Sequence, residues 1–151
     1  MKTFASILFV SFVSFASIPA AFARAPEPIV DYPAVEAVTL SGKALSVGEV
    51  TQAIQEAAKA AGWAVTKQEN GKLIARRTWK NGKHSIFSEI TPNKGGYSLV
   101  YKHSVNMGYT EDGSWSSSGE GGYVRIPSIH PFYNRYVRDL NEAIRNEFLN
   151  H

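Results

Sequence analysis

The chain predicts an α+β domain of two layers: an antiparallel β-sheet of four to five strands with two α-helices packed on one face. Three observations predict it. Apolar and polar side chains alternate with period two from Trp63 to Asn106, punctuated by Asn-Gly pairs. Segments on either side, Ser46–Gly62 and Ile129–Leu149, repeat apolar residues at helical spacing instead. A chain of 151 residues is long enough for one hydrophobic core.

Residues 1–23 read as a secretory signal peptide. Lys2 starts it, an apolar run spans Phe4 to Ile18, Pro19 breaks the run, and Ala21-Phe22-Ala23 forms a small-x-small cleavage site. The run is too short for a membrane anchor, so no transmembrane segment is expected after cleavage between Ala23 and Arg24. Residues 24–36 hold Pro26, Pro28 and Pro33 and read as a flexible leader. The single α+β domain is expected over 37–151, with a first strand in Val35–Leu45 that sets Val38 and Leu40 on one side.

Ser46 begins the first helix as an N-cap, with Glu49 three residues on to complete a capping box. Val47, Val50, Ile54, Ala57, Ala58 and Ala61 form its apolar face, and Gly62 supplies a left-handed exit. Four strands follow: Trp63–Glu69, Leu73–Lys80, Lys83–Thr91 and Tyr97–Asn106. Asn81-Gly82 predicts a two-residue turn that pairs Trp79 with His84 and Leu73 with Ile90. At Asn70-Gly71 a longer turn with Gly71 left-handed keeps Trp63 and Val65 on the core side. The next hairpin is expected to pair Ile90 with Tyr97, Ile86 with Tyr101 and His84 with His103. Leu73, Ala75, Trp79, Ile86, Ile90, Tyr97, Leu99, Tyr101 and Val105 then share the core face.

Residues 108–122 hold five glycines and four serines and read as a mobile loop with Trp115 near its tip. It is either a solvated spacer or an aromatic finger for a sugar or a partner. The closing helix, Ile129–Leu149, places Pro131 in its first turn and carries the stripe Ile129, Tyr133, Tyr136, Val137, Leu140, Ile144 and Phe148.

Two segments, Tyr97–Ser104 running on to Met107 and Tyr109, and Ile129-His130-Pro131-Phe132-Tyr133-Asn134-Arg135-Tyr136-Val137-Arg138-Asp139-Leu140, resemble a family of small exported proteobacterial proteins. Many of its members are lipoproteins, and the family has no established activity. The resemblance spans roughly residues 46–149 and implies a fold and an envelope location, with no catalytic residues to carry over. The chain departs from the family in having no lipidation cysteine, and the Gly/Ser segment reads as an insertion.

Cysteine is absent, so no disulfide supports the fold and no thiol nucleophile exists. A periplasmic or secreted destination follows from the signal, and that compartment argues against nucleic acid as partner. Charge is uneven: residues 63–106 carry eight basic and two acidic side chains, whereas both flanks are mildly acidic. Basic strand positions keep a sheet soluble and block edge pairing, or they attract an anionic envelope surface.

The chemistry-bearing residues fall in two groups. Arg77, Trp79, His84, Tyr101 and His103 are expected at one end of the inner sheet face. As cross-strand neighbours, the two histidines would share a metal ion, or with Arg77 hold a small anion, or simply pack. No third metal ligand is evident, because Glu89 points the other way. On the outer face, Phe87 and Val100 lie side by side with Ile74 diagonal, rimmed by Arg76, Lys80, Lys83 and Lys102. With Trp115 from the loop, this apolar centre and basic rim suits an envelope protein or an anionic envelope surface. No Gly-x-Ser-x-Gly turn, paired carboxylates or phosphate-cradling loop occurs, so no catalytic residue and no cofactor are assigned, and an envelope hydrolase is the weaker rival.

Overall fold

The computed structural model describes residues 24–119 and 121–151; residues 1–23, expected as a signal peptide, lie outside them. The architecture is α+β, with two antiparallel sheets and two helices. In chain order the elements are β1 (Glu27–Pro28), β2 (Tyr32–Glu36), α1 (Val47–Ala60), β3 (Ala64–Lys67), β4 (Leu73–Trp79), β5 (His84–Asn93), β6 (Gly96–Val105), β7 (Thr110–Ser117), β8 (Tyr123–Ile129) and α2 (Phe132–Phe148). The larger sheet has the order β2-β6-β5-β4-β3, and the smaller one the order β1-β8-β7.

Helix α1 starts where its cap residues place it. Glu49 N donates to Ser46 Oγ at 3.3 Å, and Glu49 Oε2 accepts from Ser46 N at 2.8 Å. These bonds, aided by Lys43, hold the Glu49 carboxyl down at about 2. The folded-state value lies below the ordinary one, so this contribution to the helix start is complete above the ordinary glutamate range and is lost as pH falls towards 2. At the other end Gly62, at φ +78, lets its own N–H reach Lys59 O and the Trp63 N–H reach Ala58 O, a Schellman closure that delivers the buried Trp63 to the core. Arg77 Nη1 then donates to Ala61 O at 2.7 Å, setting a cation at the negative end of the helix.

The β3–β4 and β4–β5 pairings match expectation. Gly71 takes φ +82 and Lys67 pairs with Leu73; Asn81 and Gly82 take φ 54 and 85 and Trp79 pairs with His84. The expected β5–β6 register is corrected. Ile90 pairs with Leu99 and Pro92 with Tyr97, because β5 runs on to Asn93 and turns at Lys94-Gly95 with Gly95 at φ +75. Pro92 is tolerated there because β4 has already ended opposite Ile90, so only β6 flanks it. Further along, Ser88 faces Tyr101 while Phe87 faces His103, so Lys102 is the extra residue of a β-bulge. The bulge turns Val105, expected in the core, outward at the row of Ser85, where it is exposed.

The N-terminal region is the second correction. Residues 24–36, expected as a free leader, contain β1 and β2, which pair with β8 and β6. Asn134 holds them: its Nδ2 donates to Pro28 O at 2.8 Å and its Oδ1 accepts from Val30 N at 3.0 Å. The strand expected at Val35–Leu45 therefore lies earlier, and Val38 and Leu40 are 58% and 82% exposed. Strand β2 passes so close to β6 that a Cβ at Gly96 would collide with Val35 O. Third, residues 108–122 supply β7 and the turn of a β-hairpin; Gly113 is needed there because a Cβ would strike Ser128 Oγ and Thr110 Oγ1.

Both helices cover one face of the larger sheet. Leu73, Ala75, Ile86, Ile90, Tyr97 and Leu99 are fully buried against Val50, Ile54 and Ala58 of α1 and Tyr133, Val137, Leu140, Ile144 and Phe148 of α2. Each large aliphatic or aromatic side chain so buried is worth roughly 1.5–3 kcal/mol. Tyr97 Oη donates to Asn141 Oδ1 at 2.7 Å inside this core, and burial pushes the Tyr97 hydroxyl up.

Candidate functional site

Among the described residues no helix packs on the outer face of the larger sheet. Its rows follow from the registers: Ile74, Glu89 and Val100 in one, and Arg76, Phe87 and His103 in the next. The expected neighbours Phe87 and Val100 are thus diagonal, and His103 takes the adjacent place with its ring centroid 5.6 Å from that of Phe87. The two-residue shift and the bulge account for this.

Glu89 is the only carboxylate in these rows, and it is fully engaged. Lys72 Nζ lies 2.6 Å from Oε1 and Lys102 Nζ 2.9 Å from Oε2; the lysine side chains are 38% and 54% exposed, that of Glu89 only 16%. Those two hydrogen bonds, Lys72 first, lower the Glu89 carboxyl below its ordinary range. The pair's contribution is therefore present above the ordinary glutamate value and disappears as pH falls through the lowered one. Arg76, and Lys80 and Lys83 at the β4–β5 turn, make no ion pair among the described residues. The face has a half-buried apolar middle of Ile74, Phe87 and Val100 and an excess of positive charge.

The inner sheet end differs from expectation. Trp79, His84 and Arg77 do come together. The His84 ring stacks on Trp79 at 5.5 Å, Trp79 meets Tyr136 edge-on at 5.2 Å, and the Arg77 guanidinium lies 4.4 Å over the Tyr136 ring. Arg77 is tied to the end of α1, and His84 Nδ1 bonds Asn106 O at 2.9 Å, so both side chains have structural partners. His103 and Tyr101 are not brought to this end. His103 sits on the opposite face of the sheet, so the two histidines cannot share a metal ion as the expected register required. Tyr101 packs edge-on to Tyr133 at 5.3 Å and stacks on Tyr109 at 4.9 Å.

Sequence reasoning missed the aromatic and cationic partners that α2 brings to this end. Arg135 lies over Phe132 and Tyr136, at 4.5 and 5.1 Å, and Arg24 over Phe132 at 5.2 Å. His130 Nδ1 accepts from Phe132 N at 3.2 Å, and burial with Arg24 nearby keeps its pKa below the ordinary histidine value. The signal for α2 was available: Phe132, Arg135 and Tyr136 are spaced at i, i+3 and i+4.

Trp115 projects from the smaller sheet, 63% exposed and opposite Arg125, whose guanidinium lies 4.8 Å over its ring. Tyr123, opposite Ser117, is 75% exposed on the same side of the hairpin. Elsewhere, Glu56, Glu147 and His151 bring ligating atoms within 4.8 Å of one another where α1 approaches the end of α2; the first and last are exposed to water. Among the described residues no helix is long and apolar enough to cross a membrane. No protein-family model, curated protein or solved structure matches the chain.

Proposed function

We propose that this is an exported, non-catalytic binding module that docks on an anionic envelope surface through the outer face of its larger sheet. The observation that carries the reading is charge balance. The sole acid in the central rows is taken up by two lysines, leaving Arg76 beside Ile74, Phe87 and Val100, and Lys80 and Lys83 at the β4–β5 turn beyond the Thr78–Ser85 row, without an ion pair among the described residues. A basic rim attracts anionic headgroups over about a Debye length, and an apolar middle adds contact once water is displaced. The signal-peptide reading puts the chain in the compartment where such a surface exists.

The test is co-sedimentation of the mature chain with phosphatidylethanolamine vesicles containing increasing phosphatidylglycerol. Binding should rise with the anionic fraction and fall with added salt, and Arg76→Glu and Phe87→Asp should each weaken it about tenfold. Absence of binding at low salt, or binding indifferent to both substitutions, overturns the reading.

A further inference from the structure

A cavity of about 330 Å³ opens where the N-terminal strands and the hairpin meet the larger sheet, lined by Ile29, Asp31, Tyr101, Tyr109, Ile126 and Pro127. Its size falls at the lower end of sites that hold small molecules. From the juxtaposition of one carboxylate, two tyrosine rings and three apolar side chains, we propose that this cavity binds a small organic cation, of the class of quaternary or alkylated amines.

Each wall suits that chemistry. Asp31 Oδ1 accepts from Tyr101 N at 2.7 Å, which fixes the carboxylate against the backbone at the bulge, and Asp31 makes no ion pair among the described residues. Its charge is therefore uncompensated in a chain that is otherwise net positive. Tyr101 and Tyr109 stack with planes 9° apart and line the cavity as one unit. Tyrosine faces attract cations through the ring quadrupole, and the attraction strengthens when the cation is desolvated. Ile29, Ile126 and Pro127 meet the alkyl substituents of such an ion, which a bare metal ion or ammonium lacks. An anion is repelled by Asp31.

The walls are also fixed before any ligand arrives. Asn134 bonds the chain on both sides of Ile29, and Ile29 N donates to Pro127 O at 3.1 Å. Tyr101 Oη shares a hydrogen bond with Ser104 Oγ at 3.0 Å, which sets the ring. A prebuilt site saves the ordering cost of binding.

The experiment titrates choline, and in parallel its neutral isostere with carbon in place of nitrogen, into the mature protein, following the Tyr101 and Tyr109 ring signals by NMR. Choline should saturate the shifts and the isostere should bind at least about tenfold more weakly. Asp31→Asn keeps an oxygen for Tyr101 N and removes the charge, so it should sharply reduce the preference for choline. Tyr109→Leu keeps the wall apolar and removes the ring, so it should weaken choline and spare the isostere; it stands in if Asp31→Asn fails to fold. No saturable shift with choline, equal affinity for the isostere, or an unchanged preference in a folded Asp31→Asn chain overturns the proposal. Vesicle binding through the opposite face of the sheet is read separately and moves with neither variant.

Discussion

Tyr97 is a fully buried aromatic, so its hydroxyl gives up its water and gains from a partner inside the core. It finds Asn141, which is buried as well, and the pair closes at 2.7 Å. Removing one member strips the other of its short bond in a dry site, and without the Asn141 side chain Tyr97 Oη keeps only its 3.4 Å bond to Asn141 O. Tyr97→Phe should therefore cost about 1–3 kcal/mol in urea unfolding. Asn141→Leu alone should cost a similar amount, and the double variant should cost clearly less than the two single ones together. Additive losses would mean that the two side chains stabilise the fold independently and that the bond contributes little. Ser88 and Tyr133 present the contrasting case. Both hydroxyls are buried in the same core without a hydrogen bond, and burial pushes the Tyr133 hydroxyl up despite the Ser88 hydroxyl nearby.

Elements were readable in proportion to how local their determinants are. The capping box of α1, the left-handed Gly62, the Asn81-Gly82 turn and the stripe of α2 are each written within a few residues, and each is found in place. The β5–β6 register was not readable, since Asn93-Lys94-Gly95-Gly96 offers several turns and Pro92 resembles a strand end. Strands β1 and β2 were hidden more deeply. Their partners lie far along the chain, with Glu27 opposite Ile129 and Tyr32 opposite Leu99, so no local periodicity announces them. The β7–β8 hairpin is largely exposed on both sides, which leaves no alternation to detect. The same distinction divides the sites. The outer-face residues follow from strand parity, whereas the Asp31 cavity is assembled from segments about a hundred residues apart. One helix residue adds to the ladders that hold the N-terminal strands. Asn134 makes two bonds to their backbone, so Asn134→Ala should speed amide exchange at Val30 about tenfold or more while leaving the core amides of β5 unchanged. Equal exchange in both chains would show that β1 and β2 hold without it.

At the scale of the whole molecule the larger sheet is asymmetric: two helices seal one face, and among the described residues none packs on the other. Neighbouring positions on a single strand therefore have opposite roles. Ile90 points into the sealed layer with no exposure, so Ile90→Asp forces a carboxylate into the core. Its cost of several kcal/mol is comparable to a domain's whole stability of about 5–15 kcal/mol. Phe87 points outward, half-buried beside Arg76 and His103, so Phe87→Asp loses about 1 kcal/mol of partial burial and introduces a charge that water and Arg76 can accommodate. The expected result is an unfolded or barely folded Ile90→Asp chain by circular dichroism, beside a Phe87→Asp chain that melts within a few degrees of the parent yet no longer sediments with anionic vesicles. A Phe87→Asp chain that unfolds would mean the outer face is a second core surface awaiting cover, and the bare basic face could then no longer be argued to exist for docking.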